Sequence, residues 1–483
     1  MSRQVLQRVF GLLLVLTGAS LLPGLMISLY YQDSSINSFL YSSVAEILIG
    51  VGLYLPVRNG PTELRVRDGF LIVVMAWLTV GIGAALPLWT IKEPHISFVD
   101  GLFEAMSALT TTGATVLTGL DDLPKGLLYQ RAQLQWLGGM GIIVLAVAIL
   151  PMLRIGGMQL FRAETPGPMK DSKLTPRITE TAKALWVIYL VLTVACATCY
   201  WLAGMGLFDA ITHAFTTVPI GGFSNYDASL GHFDNVLIEM VAMLFMLIAG
   251  MNFALHFMAW RNASIQVYFQ DAELRCFIGI CGFFVLLTSL EIFRIGIATN
   301  YGEALRLGAF HSIASITTTG YTTDSFYQWP GYIPALLLSI CFIGGCAGST
   351  GGGMKVIRVL LLYKQTVREV KHLVHPNSVI AIKLGNRAIS NNVISAVWAF
   401  SFLYIATIAI IGMVLHALGL DLVTAFSATI ACLTNLGPGL GEVGPHYANL
   451  PDVPKLILTF AMLLGRLELF TLLVLFTPAF WRD

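Results

Sequence analysis

Four short segments centred on a glycine interrupt an otherwise hydrophobic chain, and we call them the glycine segments: 110–115, 219–224, 317–322 and 434–439. Their signature glycines, Gly113, Gly222, Gly320 and Gly437, are separated by 109, 98 and 117 residues. Glycine lets a backbone turn its carbonyl oxygens to one side without a clash at Cβ. A ring of carbonyls can replace the water around a dehydrated cation. Four segments at nearly one period therefore indicate four related units that offer backbone to a common axis.

The composition places the chain in a membrane. Of its 483 residues, 56% are hydrophobic and 11% are charged, and the mean hydropathy is +0.76. Soluble domains carry about 25% charged residues. Ten apolar runs are long enough to cross a hydrocarbon core of roughly 30 Å as helices. The predicted spans are 8–30, 38–57, 69–90, 132–153, 184–207, 236–259, 276–298, 331–363, 394–420 and 455–480.

The distribution of Lys and Arg predicts the orientation. With ten spans, 21 of these residues lie in segments on the side of the N-terminus, six lie on the other side, and Arg466 lies within a span. Because positive loops stay in the cytoplasm, both termini are predicted to be cytoplasmic. All four glycine segments then face outward. The net charge of +1 gives no indication of a nucleic-acid partner.

A polar stretch of helical character precedes each glycine segment, starting near Asp100, Asp209, Glu303 and Asp421. Asp is a good N-cap, so each stretch is predicted to be a short re-entrant helix. Such a helix must be buried in protein. Its C-terminal end carries about −0.5 elementary charge, so four ends aimed at one axis favour a cation.

The predicted fold is therefore an all-α polytopic membrane protein. Four fused helix–pore-loop–helix repeats surround one pore, and the first two spans form an appended N-terminal helix pair. The predicted units are the helix pair 1–67, repeat 1 at 68–175, repeat 2 at 176–268, repeat 3 at 269–391 and repeat 4 at 392–483.

Six glycines fall within the ten positions 344–353, where the eighth span should be at mid-membrane. Each glycine costs a helix roughly 1 kcal/mol, so the helix is predicted to break there. Freed backbone at that depth must line a cavity or pack in protein, and directly below the glycine segments it would obstruct an ion path. We predict an intramembrane gate, with close packing of small residues as the alternative. The glycines are Gly344, Gly345, Gly348, Gly351, Gly352 and Gly353.

Arg466 lies in the middle of the last predicted span. A charged side chain at this depth costs at least about 2.5 kcal/mol, so we predict that it faces the pore. There its charge would oppose a stationary cation, and its guanidinium could hydrogen-bond to loop carbonyls. A structural salt bridge to Glu468 or Glu291 is the alternative. With the six glycines and Lys355, which follows them, Arg466 completes the candidate gate residues.

The sequence contains no evident catalytic constellation, so the chain is not predicted to be an enzyme. A secondary transporter that couples two ions through inverted repeats is the main rival. The four repeats share one topology, with every insert entering from outside, which disfavours that rival. An ion-coupled symporter of H⁺ or Na⁺ with another cation stays the alternative function.

Three further stretches extend the likeness to a known family: 135–141, 344–355 and 465–468. With the glycine segments, they make the chain resemble the Trk/Ktr/HKT superfamily of potassium transporters over nearly its whole length. The extra N-terminal helix pair is similar to that of the bacterial TrkH-type branch. The resemblance implies potassium as the transported ion, no organic cofactor, and a bacterial inner membrane with its lipid. It also implies a homodimer and a cytosolic TrkA-type nucleotide-binding ring as regulator.

The resemblance also implies which carbonyls coordinate the cation. Only the third segment, Thr-Thr-Gly-Tyr, approaches the potassium-channel pattern Thr-Val-Gly-Tyr-Gly. A filter with one signature glycine per repeat is expected to hold fewer well-formed sites and to reject sodium less strictly than a channel does. The implied ligands are the carbonyls of Thr111, Thr112, Gly113, Ile220, Gly221, Gly222, Thr318, Thr319, Gly320, Asn435, Leu436 and Gly437.

Overall fold

The structure is a computed structural model that describes residues 3–59, 66–141, 178–385 and 387–482. Within these ranges the chain is helical, and the only strands are a two-residue pair, Lys383–Leu384 with Arg387–Ala388. The helices, numbered in chain order, are α1 Arg3–Ser20, α2 Leu22–Tyr31, α3 Ile36–Tyr54, α4 Val66–Thr90, α5 Phe98–Leu109, α6 Lys125–Gly139, α7 Ile178–Leu202, α8 Leu207–Thr217, α9 Val236–Gly250, α10 Phe253–Asn262, α11 Gln266–Gln270, α12 Ala272–Ile295, α13 Tyr301–Ile316, α14 Ile333–Ile340, α15 Val356–Val374, α16 Asn391–Ala417, α17 Leu422–Leu433, α18 Asp452–Arg466, α19 Phe470–Leu473 and α20 Pro478–Trp481.

Among the described residues, six helical stretches are long and apolar enough to cross a membrane as single spans. Their outward faces are hydrophobic: Leu48, Phe283 and Phe402 are each more than 60% exposed. Large exposed apolar surfaces of this kind mark contact with a membrane or a partner. The six spans are Gln4–Tyr31, Ile36–Val57, Asp68–Thr90, Lys183–Leu202, Ala272–Ile295 and Asn391–Ala417.

Two other predicted spans are bent. The prediction of continuous helices over 236–259 and 455–480 is wrong, because α9 and α10 meet at 91° and α18 meets the following helical segment at 108°. Asn252 caps α10 through its side chain, which accepts from the N–H of Ala254 at 2.8 Å. In the other bend Glu468 and Leu469 have φ values of 51° and 54°. Of the fourth span, 132–153, the part beyond residue 141 lies outside the described residues.

The eighth span breaks where the sequence predicts. Helix α14 ends at Ile340 and α15 begins at Val356, and we call the connection 341–355 the Gly-rich loop. In the loop Gly344, Gly348 and Gly353 have φ between 71° and 75°, a conformation that side-chain-bearing residues adopt only at a cost. The glycines thus supply backbone shapes that a helix cannot contain.

Short helices precede all four glycine segments, as predicted, but two of the predicted caps are wrong. Asp100 is the third residue of α5, whose cap is Ser97, and Asp209 is the third residue of α8, whose cap is Gly206. Asp421 does cap α17, accepting from the N–H of Thr424 at 3.0 Å. The hydrogen bonds from Thr424 hold the pKa of Asp421 below its ordinary value. We call α5, α8, α13 and α17 the short helices.

The helices of the N-terminal pair pack closely against each other and are also joined to the repeats. A Cβ on Gly11 of α1 would lie 2.7 Å from the carbonyl oxygen of Gly50 in α3, so these helices touch backbone to backbone. Small residues permit such contacts within a membrane. Gln133 of α6 donates to the carbonyl of Ser20 at 3.0 Å, which joins the pair to the repeats. The division at 67/68, 268/269 and 391/392 stays a prediction, and 175/176 lies outside the described residues.

Candidate functional site

All four glycine segments adopt one unusual backbone shape. The signature glycines have φ between 75° and 97°, and the residue two positions earlier has φ between 55° and 61°. A left-handed φ is rare for residues with a side chain and is an outlier for a β-branched residue such as Ile220. The residues that share it are Thr111, Ile220, Thr318 and Asn435. Four copies of one rare conformation, at matching positions, identify the segments as structural repeats.

The N–H groups of the segments point back to the short helices. In each repeat, the residue before the signature glycine donates to the carbonyl six positions before that glycine, at 2.8–2.9 Å. The four bonds run from Thr112 to Ser107, from Gly221 to Thr216, from Thr319 to Ala314 and from Leu436 to Ala431. These bonds satisfy carbonyls that a helix end otherwise leaves unpaired, and they fix each segment rigidly to its own short helix.

The four segments form a closed ring. Each signature glycine lies so close to the next segment that a Cβ on it would fall within 3.0 Å of a carbonyl oxygen there. The approaches are Gly113 to Gly221, Gly222 to Thr319, Gly320 to Leu436, and Gly437 to Thr112. The ring therefore runs through the repeats in chain order and returns to the first. The twelve residues that the family resemblance implies as ligands all lie in this ring, which we call the filter ring after that expected role.

Side chains behind the filter ring hold its parts together. The phenol of Tyr321 lies 3.0 Å from the hydroxyl of Thr217, and Asn435 donates to the hydroxyl of Thr112 at 2.9 Å. Two ring carbonyls are also engaged: that of Gly221 accepts from Gln135 and that of Gly437 from Tyr447, each at 2.8 Å. A carbonyl oxygen has two lone pairs, so both retain one acceptor site.

A cavity of about 500 Å³ lies against the ring. Gly113, Gly222 and Gly320 line it, together with the carboxylates Asp227 and Asp324. By the predicted orientation this cavity opens to the outside. Carboxylates at the mouth of a cleft raise the local concentration of cations.

The Gly-rich loop lies against the inner ends of three short helices. Thr350 donates from its hydroxyl to the carbonyl of Val218 at 3.0 Å. The N–H of Gly352 donates to the hydroxyl of Thr318 at 2.8 Å, and the N–H of Gly353 donates to the carbonyl of Thr434 at 3.0 Å. The loop thus contacts the second, third and fourth repeats where each segment begins.

Arg466 supplies the contact with the first repeat. Its guanidinium donates to the hydroxyl of Thr111 at 3.2 Å, to the carbonyl of Thr350 at 2.9 Å, and to the carbonyls of Gly138 and Gly139. Arg466 is the last residue of α18, at the bend, and not the middle of a continuous helix as the sequence suggests. The predicted hydrogen bond to the loop is present.

Two charged residues hold the loop in place, Lys355 from within it and Glu273 from α12. The side-chain amine of Lys355 donates to the carbonyl of Gly351, within the loop itself. The carboxylate of Glu273 accepts from the N–H groups of Ala347 and Ile357, at 2.6 and 3.2 Å, and so ties the middle of the loop to the first turn of α15. The two acids considered as partners of Arg466 form ion pairs elsewhere, Glu468 with Arg358 and Glu291 with Arg294.

Sequence reasoning missed Glu104, Arg131 and Glu273. Each is separated by many residues in the sequence from the backbone groups with which it hydrogen-bonds, so no local sequence pattern indicates its role. One signal in the sequence was available, because burying an unpaired charge costs free energy. A charged residue in an apolar stretch therefore requires a buried partner. That signal points to Glu104 and Arg131, which are both at most 2% exposed to solvent.

Comparison with known proteins gives consistent results. The family model described as "TrkH: Cation transport protein" matches residues 35–482. The chain is 49% identical over 484 residues to the Trk system potassium uptake protein TrkH of Halomonas elongata, covering 100% of both chains. It is 49% identical to the TrkH of Escherichia coli K12, covering 99% of both. The crystal structure of the potassium transporter TrkH from Vibrio parahaemolyticus covers 100% of both chains, with a TM-score of 0.91 and 47% identity.

The family and the helices agree on the class of molecule. The relatives are transport proteins and not enzymes, and the apolar helices make this a multi-pass membrane protein. The resemblance seen in the sequence is confirmed. This chain belongs to the TrkH family of cation transport proteins.

Proposed function

We propose that this protein takes up potassium across a bacterial inner membrane through the filter ring, with the carbonyls of its twelve residues as ligands. The closed ring of four segments is the observation that carries the proposal. Carbonyl rings select cations by replacing their hydration shell. The four short helices direct the negative ends of their dipoles toward the same place. The names of the relatives point to potassium as the cation.

The Gly-rich loop and Arg466 form the gate in this proposal. Together they contact Thr111, Val218, Thr318 and Thr434, one residue at the base of each glycine segment. An ion that leaves the ring inward would meet the loop and a fixed positive charge. Opening requires the loop to give up these contacts. The six glycines make other backbone shapes accessible at low cost, and Lys355 moves with the loop.

Orientation and partners extend the proposal. The excess of Lys and Arg on the side of the termini supports cytoplasmic N- and C-termini. A homodimer and a cytosolic TrkA-type nucleotide-binding ring are the expected partners, since the family resemblance implies both. The nucleotide-binding ring would act on the gate through α15, because α15 follows the Gly-rich loop directly and presents exposed residues such as Lys371.

A flux measurement tests the proposal. The purified protein is placed in lipid vesicles that carry a potassium gradient but no proton or sodium gradient. A variant that lacks residues 349–351 runs in parallel, because it should conduct even if the parent is closed without its regulator. The proposal predicts downhill movement of potassium or rubidium, faster than sodium.

Two results would contradict it. Movement that occurs only with an imposed proton or sodium gradient would favour the ion-coupled symporter. The absence of potassium movement through both well-folded proteins would remove the proposed function altogether.

A further inference from the structure

One position is polar in three of the four short helices. Nine residues before the signature glycine stand Glu104, His213, His311 and Ala428, all at most 2% exposed. In the first three repeats this side chain contacts residues that follow the signature glycine by two or three positions, through a hydroxyl in each case and also through a backbone N–H in the first. In the fourth, the neighbouring Ser427 does so through Leu440, at 3.0 Å. Each repeat therefore has a side-chain support behind the outer end of its segment.

The supports differ in strength. His213 lies 3.0 Å from the hydroxyl of Ser224, and His311 lies 3.4 Å from the hydroxyl of Thr323. Glu104 makes more and shorter contacts: its carboxylate accepts from the hydroxyl of Thr115 at 2.9 Å and from the N–H of Val116 at 2.9 Å. Hydrogen bonds to an ionised acceptor are roughly twice as strong as neutral ones. The first segment is therefore held most firmly.

The charge of Glu104 is matched by Arg131 of α6. The guanidinium donates to the carboxylate at 2.7 Å and to the hydroxyl of Thr115 at 3.3 Å. It continues into the second repeat, where it donates to the carbonyl of Ser224 at 3.0 Å and lies 4.1 Å from the ring centroid of Phe223. The planar, multi-donor shape of Arg suits such a bridge. One ion pair thus ties together the stretches that follow Gly113 and Gly222.

The Glu104–Arg131 pair also neutralises the charge beside the cavity above the ring. Arg131 lines the cavity above the ring, where a lone guanidinium would repel an arriving cation. Glu104 offsets that charge at contact distance. Removing either partner leaves the other as an uncompensated buried charge, next to the first place where an ion can bind.

We propose that the Glu104–Arg131 ion pair is a positioning element of the filter ring, which fixes the outer ends of the first two segments against each other and thereby sets discrimination of potassium against sodium. Neither residue is proposed to touch the ion. The inference rests on the proposed function and adds two residues to it. Its central expectation is that a change 9 residues before the signature glycine alters selectivity, and not only stability.

The test is a double-mutant cycle in vesicles. The variants are E104Q, R131Q and E104Q/R131Q, and the readout is the ratio of potassium to sodium uptake per folded molecule. Each single change is expected to lower the ratio about tenfold, and the double variant is expected to lose less than the product of both, since close charge pairs couple. The matched control is E291Q/R294Q, an ion pair at 2.8 Å with an exposed Arg294, where the ratio should not change.

T115V provides a second route, because it removes the hydroxyl between the two charges without leaving either charge unpaired. It should lower the ratio at least about threefold, because the hydroxyl donates to Glu104 and accepts from Arg131 and from the N–H of Leu117, and all of these hydrogen bonds are lost. Variants that melt at a lower temperature but keep the parental ratio would reduce the pair to a structural role and overturn the inference. If E104Q and R131Q do not fold, an unchanged ratio in T115V overturns it equally. A parent without potassium selectivity would instead overturn the proposed function, and the inference with it.

Discussion

The filter ring and the gate beneath it are both built from glycine and backbone, yet they are held in opposite ways. In the ring one hydrogen bond recurs four times, from the residue before each signature glycine to the short helix of the same repeat. The Gly-rich loop occurs in the third repeat, and its contacts reach the second and fourth repeats and Arg466. The hydrogen bond that recurs within each repeat gives a rigid, nearly symmetric ring. The loop is held by individual hydrogen bonds to other repeats, and one movement of the loop can break all of them.

The bends of the inner helices show the same contrast. Helices α9 and α10 are separated by two residues, and α18 and α19 by three, whereas α14 and α15 are separated by fifteen. A break of two or three residues fixes a direction, but a long glycine-rich break has many accessible shapes. The difference teaches that selection and gating are separate tasks here: the ring should set which ion passes, and the loop should set how fast.

The largest effect is expected in the ring. G113S places a side chain at φ 81° and against the carbonyl of Gly221. Left-handed backbone costs about 1–2 kcal/mol and the overlap adds to it, so the ratio of potassium to sodium uptake should fall about 100-fold. G119S is the matched control, because Gly119 also has a positive φ, 67°, but has open space around it. An unchanged ratio in G113S at equal expression would remove Gly113 from the filter.

The gate is tested next by shortening the loop. Deletion of residues 349–351 removes the contact of Thr350 with Val218 and its acceptor for Arg466. Because the ring keeps its own hydrogen bonds, initial rubidium uptake should rise at least about tenfold, as the loss of two or more hydrogen bonds implies. A deletion variant that folds, reaches the membrane and conducts less than the parent would show that the loop is not a barrier.

Arg466 separates the effect of charge from that of shape. R466A removes both the positive charge and the hydrogen bonds to Thr111 and Thr350. Uptake should rise about tenfold, since one charge-assisted hydrogen bond contributes at least about 1.5 kcal/mol. R466K keeps the charge but loses the planar set of donors, so its rate should lie between the two. Slower uptake by R466A, with R466K equal to the parent, would mean that Arg466 serves the fold by its charge.

The smallest expected change is T350V, which removes one hydroxyl from the loop. Loss of its hydrogen bond to Val218 should raise uptake about two- to fivefold. T198V makes the same chemical change on the exposed face of α7, where the hydroxyl bonds only within its own helix to the carbonyl of Val194, and should leave uptake unchanged. Equal rates for both variants would argue that the loop is held by its backbone and by Arg466 alone.

Features that depend on local composition could be predicted from the sequence. The four glycine segments, the short helices before them and the break after Ile340 all follow from glycine content, polarity and run length. The family resemblance was readable from the same stretches. These are signals that neighbouring residues carry together, so a single sequence contains them.

Features that depend on distant partners could not be predicted. Nothing local explains a left-handed Ile220, which is held by the ring and its short helix. The bend at Glu468 and Leu469 contains neither glycine nor proline, so the apolar run reads as one continuous helix. Glu104 and Arg131 are 27 residues apart and belong to different helices. In each case tertiary contacts override the local preference.

The division of labour between ring and loop is tested most directly by measuring rate and selectivity in the same vesicles. Initial potassium and sodium uptake per folded molecule would be recorded for the parent, G113S and the 349–351 deletion. The account predicts that G113S changes the ratio of the two ions, and that the deletion raises both rates while leaving their ratio unchanged. A deletion that alters the ratio as much as G113S does would contradict it.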